Sequence, residues 1–229
     1  MKMKRSEKLG MFTGLVVGVL LLLISVFMIF QTTCKVWGAE KPANATQQGI
    51  DVSSHQGKID WEQVKNSALA DYAIIRCGYG VNQTDKDDKY WDYNSSECER
   101  LGIPYGTYLY SGADTTAKAK SEAEHVVRLL QGKNLTYPIY YDMEADMLNQ
   151  LSSTQIGNIA KTFLNTMESY GYKNVAVYSN KYLFETKLTA SVFSDYPKWI
   201  AQHSNKCTYQ GSYHMWQYST QGVIPGISE

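Results

Sequence analysis

The run Tyr137-Pro138-Ile139-Tyr140-Tyr141-Asp142-Met143-Glu144 is mostly apolar and ends in two carboxylates one residue apart. Side chains alternate across a strand, so Asp142 and Glu144 should point to the same side. At the C-terminal end of a buried parallel strand, that is the side on which α/β enzymes place their chemistry. Two neighbouring carboxylates shift each other's pKa, which lets one serve as an acid while the other stays charged. The same run also fits a strand that ends in an acidic, solvated turn, so its company has to decide. Asp51, in Gly49-Ile50-Asp51-Val52-Ser53-Ser54-His55-Gln56-Gly57, is a third acid at a strand end.

Aromatic residues mark the other strand ends: Tyr79, Tyr108, Tyr110, Tyr178, Trp199, Trp216 and Tyr218. Each alone fits ordinary core packing. As a set beside carboxylates, they suit sugar rings, whose apolar C–H patches are edged by hydroxyls. Other chemistries find little support. His55 has no second histidine at ligand spacing, since His125, His203 and His214 are scattered, and a packing or hydrogen-bonding role fits it better. There is no Gly-x-Ser-x-Gly elbow and no Cys/His pair in a convincing setting. No metal and no cofactor is expected, and the acids remain.

The elements that must position these residues alternate in type. Short apolar runs at Gly49–Val52, Tyr72–Cys77, Tyr105–Tyr110, Tyr137–Glu144 and Val175–Tyr178 read as strands. Between them lie helical stretches: one opened by Asp60 with Gln63 as a capping-box partner, then Trp91–Leu101, Thr116–Leu130 and Ser152–Tyr170, with a short one near Tyr182–Leu188. Two late strands, Lys198–Gln202 and Met215–Tyr218, have no clear helix between them. This alternation implies parallel strands with right-handed crossovers. With no glycine-rich phosphate loop after the first strand, an α/β barrel fits better than an open doubly wound sheet.

The chain has 229 residues, and its N-terminus lies outside this pattern. Leu9–Phe30 carries no charge and is long enough to span a bilayer of roughly 30 Å. Lys2, Lys4, Arg5 and Lys8 precede it, so the positive-inside rule places residues 1–8 in the cytoplasm and everything after Phe30 outside. Ala43-Asn44-Ala45 has the form of a signal-peptidase site, but it sits far beyond an apolar run that is too long for a signal core. An uncleaved anchor is therefore the better reading, and a secreted product the alternative. Residues 31–48 read as a linker, and residues 49–229 as one domain with a substantial core. Residues 1–41 hold six Lys/Arg and two Asp/Glu, which leaves 16 basic and 20 acidic residues in the remainder. A mildly acidic domain without a basic stripe argues against a nucleic-acid partner. Cys34 reads as an incidental thiol. Cys77, Cys98 and Cys207 form no disulfide framework or metal pattern, and a Cys77–Cys98 bridge and buried free thiols stay equally open.

The domain resembles the family-25 glycoside hydrolases, lysozymes that cut the N-acetylmuramic acid to N-acetylglucosamine bond of peptidoglycan. The matching segments are Gly49–Gly57 with Ile59-Asp60-Trp61, Ile75–Gly80, Gly106–Ser111, Tyr141–Glu144, Trp199–Gln202 and Trp216-Gln217-Tyr218, in order and at plausible spacing. The resemblance implies an irregular TIM-like (β/α) barrel with five β/α units and closing strands. It implies Glu144 as the general acid, Asp142 as the partner of the substrate's own 2-acetamido group, and Asp51 as a further active-site carboxylate. It also implies retention by substrate assistance, an exception to the usual two-carboxylate rule.

One departure qualifies the match. Family members continue past the Gly-Ile of their last strand to another aspartate, whereas this sequence ends at Gly226-Ile227-Ser228-Glu229, so a truncated record or a missing final acid is expected. The expectation is a membrane-anchored, monomeric muramidase whose partners are peptidoglycan glycan strands and, through residues 9–30, the cytoplasmic membrane. Its role would be cell-wall remodelling or lysis. The alternative is a catalytically impaired peptidoglycan-binding module, or a component of a wall-spanning transport assembly.

Overall fold

The structure, a computed structural model, describes residues 42 and 44–228. The expected tail, anchor and first part of the linker lie outside them. Among the described residues no helix is long and apolar enough to cross a membrane.

Seven parallel strands form one sheet in chain order: β1 Gly49–Val52, β2 Tyr72–Tyr79, β3 Tyr105–Tyr110, β4 Ile139–Asp142, β5 Val175–Asn180, β6 Lys198–Ala201 and β7 Met215–Gln217. Helices α1 Trp61–Ser67, α2 Trp91–Leu101, α3 Thr116–Leu129, α4 Ser153–Ser169, α5 Lys181–Thr186 and α6 Val192–Asp195 fill the crossovers as far as β6. Five β/α units followed by two further strands is the expected arrangement. α6 was not legible in the sequence, because a single turn carries too little periodicity to register.

The sheet curls, and its concave face is packed with rings. Tyr72, Ile74, Tyr140, Ala176, Tyr178, Trp199 and Ala201 form one buried cluster, with Tyr108, Tyr137 and Met215 against it. Tyr72 and Tyr137 stack at 4.2 Å at its base. A Cβ at Gly49 would land on the Tyr72 ring, so glycine is what allows β1 to close over that end. Along the β3–β7 register the row Tyr110, Asp142, Tyr178, Trp199, Met215 crosses the sheet above this base.

Backbone pairing does not join β7 to β1 among the described residues. Side chains bridge the gap instead. Gln217 Nε2 donates to Asp51 Oδ1 at 3.0 Å, and Gln48 Nε2 donates to the Tyr218 hydroxyl. In place of the expected closed barrel, the described residues form a curled, open sheet spanned at its seam by these side-chain hydrogen bonds.

The convex face carries the helices. α4 turns Ile156, Ile159, Ala160, Phe163, Leu164 and Met167 inward, and Phe163 stacks on Tyr141 of β4 at 3.8 Å. Tyr141 therefore faces outward, which leaves Tyr140 and Asp142 inside. Ser152 caps α4 in a full capping box with Gln155. At α1 the expected box is only half formed. Asp60 accepts from Gln63 N, but the Gln63 side chain donates to the Asp60 carboxylate because the Asp60 backbone N–H is already given to the Gly226 carbonyl at 2.8 Å. Cys77 and Cys98 are separate buried thiols, so the bridge left open above is not made.

Candidate active site

The C-terminal ends of the strands bring Asp51, Asp142 and Glu144 together, although more than ninety residues separate the first from the others. Asp142, the last residue of β4, is only 3% exposed. Glu144 lies just past the strand, half-buried. Their common orientation follows from Met143, which is pinned outward to β5. Its N–H donates to the Tyr178 carbonyl at 2.9 Å, and its own carbonyl accepts from Ser179 Oγ at 2.6 Å.

Burial is the largest influence on all three acids and raises each. Asp142 is pushed well above the ordinary carboxylate range, with Glu144 and Asp51 adding like-charge repulsion and Arg76 opposing it. Glu144 is raised by burial and by Asp51, and drawn back by the His203 imidazole and the Tyr178 hydroxyl. Asp51 is raised despite the amide of Gln217. Burial and mutual repulsion thus both favour the protonated forms at this site, the direction that suits a proton donor. Asp142 Oδ1 has no hydrogen-bond donor among the described residues.

Arg76 is the cation of the site. Its Nε pairs with Oδ2 of buried Asp88 at 2.8 Å and its Nη2 donates to Ser54 Oγ at 2.7 Å, while the Ser54 N–H donates to the same Asp88 Oδ2 at 2.8 Å. This lattice fixes the Ser53–Gly57 turn that follows Asp51. On the far side of the sheet, buried Glu122 of α3 accepts from the Tyr141 hydroxyl at 2.6 Å, Ser111 Oγ at 2.9 Å and Gly112 N at 2.7 Å. It fastens β4 to the loop beyond β3.

The aromatic candidates separate into groups. Tyr108, Tyr110 and Tyr178 face the acids, which raise their hydroxyl pKa values beyond what burial does alone. Trp199 is 4% exposed and wedged against Tyr178 at 4.4 Å and Tyr140 at 5.0 Å, so it serves as the floor beneath the site. Tyr79 lies at the rim, 41% exposed, with Lys86 Nζ 5.0 Å from its ring centre. A bulge between Arg76 and Gly78 brings it into register with Tyr110. Trp216 is not brought to the acids. It lies on the opposite face of β7 from Gln217, its Nε1 donating to the Gln202 carbonyl at 2.9 Å. Period-two alternation fixes this: Met215 packs inward on the ring cluster, so Gln217 does too and Trp216 cannot.

Two polar residues went unread. Gln217 Oε1 accepts from the Tyr178 hydroxyl at 2.9 Å and faces His203 Nε2 at 2.9 Å, while its Nε2 holds Asp51. The signal available was the phase of β7, in which Gln217 shares a face with Met215. His203 sits on a loop, and nothing in its neighbours marks it. Among the described residues no cluster of His, Cys, Asp and Glu is arranged to hold a metal.

Carboxylates raised by burial, gathered at the C-terminal mouth of a curled parallel sheet and floored by aromatic rings, are the equipment of a glycoside hydrolase. The pattern of the glycosyl hydrolases family 25 matches residues 50–227, and the chain belongs to that family. It is similar to the autolytic lysozyme of Clostridium acetobutylicum, 30% identical over 182 residues that make up 79% of this chain and 53% of that protein. In fold it resembles the modular autolysin LytC from Streptococcus pneumoniae, with TM-score 0.72 and 34% identity over 79% of this chain and 44% of that one. LytC has also been solved in complex with a synthetic peptidoglycan ligand. A family-25 glycosyl hydrolase from Bacillus anthracis shares the fold at TM-score 0.71 and 21% identity, over 82% of this chain and 86% of that one. The chain thus spans about half the length of the autolytic lysozyme and less than half of LytC.

Proposed function

We propose that this chain hydrolyses the β-1,4 bond between N-acetylmuramic acid and N-acetylglucosamine in peptidoglycan, with retention and assistance from the substrate. The observation that carries the reading is the convergence of Asp51, Asp142 and Glu144 around Tyr178, each with its pKa raised by burial. Glu144 gives its proton to the glycosidic oxygen as the C–O bond breaks. The carbonyl oxygen of the neighbouring 2-acetamido group bonds to the anomeric carbon from the opposite side, forming an oxazolinium-type ring. Asp142 accepts a hydrogen bond from the acetamido N–H, with Oδ1 as the acceptor that lacks a protein donor. A hydrogen bond to the charged form favours it, so substrate holds Asp142 ionised and leaves the proton on Glu144. Water then attacks the anomeric carbon, the bond from that carbon to the acetamido oxygen breaks and restores the acetamide, and the Glu144 carboxylate takes the proton of the water. The lysozyme and autolysin names of the relatives, and the peptidoglycan ligand of LytC, support this substrate.

The domain works outside the cytoplasmic membrane, held there by residues 9–30, and serves wall remodelling or lysis. The uncharged run behind a basic tail supports this reading. Product analysis tests the chemistry. Digested peptidoglycan reduced with borohydride should yield muramitol at the new ends, and proton NMR should show the β-anomer first. Glucosaminitol ends, or an α-anomer first, would overturn the bond assignment or the stereochemistry respectively. Fractionation of cells expressing the full chain tests the anchor: recovery with membranes is expected, and release into the medium contradicts it.

A further inference from the structure

We propose that Gln217 is a positioning residue that sets the protonation of the site, by apportioning one hydroxyl hydrogen between itself and Glu144. The inference rests on the reading of Glu144 as the general acid.

The orientation of its amide is fixed by its partners. Nε2 donates to Asp51 Oδ1 at 3.0 Å, the arrangement that an ionised Asp51, which only accepts, requires. Oε1 then faces two donors, the Tyr178 hydroxyl and His203 Nε2, each at 2.9 Å. His203 therefore carries its hydrogen on Nε2 toward Gln217. Tyr178 has one hydrogen and two takers. In the structure it donates to Gln217, and the same hydroxyl stabilises the Glu144 carboxylate when that group is charged. Before the reaction Glu144 is protonated and needs no donor, so Gln217 keeps the hydroxyl. Once Glu144 has lost its proton, the hydroxyl has reason to turn toward it, and His203 remains to satisfy Oε1.

The groups that face this pair from the surrounding elements are Asp51 on β1, Arg76 on β2, Tyr108 and Tyr110 on β3, Asp142 on β4, Tyr178 on β5 and His203 after β6. Through Asp51 and Tyr178, Gln217 acts on Glu144 in one direction. Its amide keeps Asp51 more ionised, and the Asp51 charge raises Glu144. Its carbonyl oxygen keeps the Tyr178 hydroxyl from Glu144, which raises Glu144 again. Replacing Gln217 with methionine, of similar length and without either hydrogen-bonding group, should therefore raise the pKa of Asp51 and lower that of Glu144. Replacing Tyr178 with phenylalanine should raise Glu144 instead. A disturbance of packing has no reason to move one acid in opposite directions in the two variants.

The test is a carbon-13 NMR titration of the full chain labelled at aspartate and glutamate carboxyls, as wild type, Gln217→Met and Tyr178→Phe, with near-UV circular dichroism to establish folding. Opposite displacements of Glu144 in the two variants, with Asp51 rising in Gln217→Met, are expected. Unchanged or parallel displacements overturn the proposal. Kinetics on peptidoglycan add the consequence: in Gln217→Met the alkaline limb of kcat/KM should move to lower pH, costing about tenfold there, the worth of one hydrogen bond to a charged group. A wild-type chain that titrates as described but releases no reducing ends would overturn the proposed function and leave the positioning role standing.

Discussion

Ser179 Oγ donates to the Met143 carbonyl at 2.6 Å, just after the Met143 N–H has donated to the Tyr178 carbonyl at 2.9 Å. The two bonds carry the β4–β5 pairing one residue past the last regular ladder position, between Asp142 and Glu144. Glu144 is thus held on the face of Asp142 although it lies beyond the strand.

Ser179→Ala removes the side-chain half of that clamp and leaves the buried Met143 carbonyl without its donor. The cost should be about 1–3 kcal/mol of stability, read as a lower urea midpoint with an unchanged m-value. Activity should fall mainly in kcat, because the acid is loosened while the aromatic walls that hold sugar are untouched.

Asp51→Asn tests the electrostatics of the acid. The Asp51 charge raises the Glu144 pKa. Its removal should let Glu144 lose its proton more readily, so the alkaline limb of kcat/KM moves to lower pH. An unmoved limb would mean that Asp51 does not act on Glu144 through charge.

A cluster behind the site should govern stability in acid. His125 of α3 contacts the Gly80 carbonyl through Nδ1 at 3.0 Å and Asp87 Oδ1 through Nε2 at 2.8 Å, and Arg128 bonds both oxygens of Asp87. Burial alone would raise Asp87, but the hydrogen bonds from Arg128 and His125 outweigh it and hold its pKa below that of an ordinary aspartate. A carboxylate depressed in the fold contributes stability in full above its unfolded pKa, and that contribution is lost as pH falls through the folded value. Asp87→Asn should therefore weaken the protein at pH 7 by about 1–3 kcal/mol. Below about pH 4 its stability should fall less steeply than that of the wild type, which urea melts at pH 7 and pH 3 will show.

Cys77 and Cys98 should behave as inert core thiols. Burial pushes Cys77 up to about 12, and Cys98 rises as well. Reaction with a thiol reagent should be slow in the native protein and fast in denaturant. Intact mass should show no loss of two hydrogens between them.

Much of this arrangement is legible in the sequence because it rests on local signals. The apolar run Tyr72–Cys77, the Asp60 cap and the alternation of strands with helices mark elements through short-range physics, and Asp51, Asp142 and Glu144 stand out as acids at strand ends. What escaped depends on phase and on loop path. Trp216 and Gln217 are adjacent, and only the inward packing of Met215 reveals that the glutamine faces the acids. Trp199 looks like a sugar platform until Tyr140 and Tyr178 are seen to cover it. Arg76 and Asp88 are ordinary charges in sequence, and become a lattice only when the bulge in β2 and the turn after Asp51 meet.

The most direct measurement compares wild type with Glu144→Gln on a peptidoglycan suspension, following turbidity and the appearance of reducing ends together. The substitution keeps the shape of the side chain and removes its proton chemistry. The assignment of Glu144 as the general acid predicts clearing and reducing ends from the wild type and a loss of roughly 10²–10⁴ in rate for the variant. Equal rates for the two proteins would contradict it.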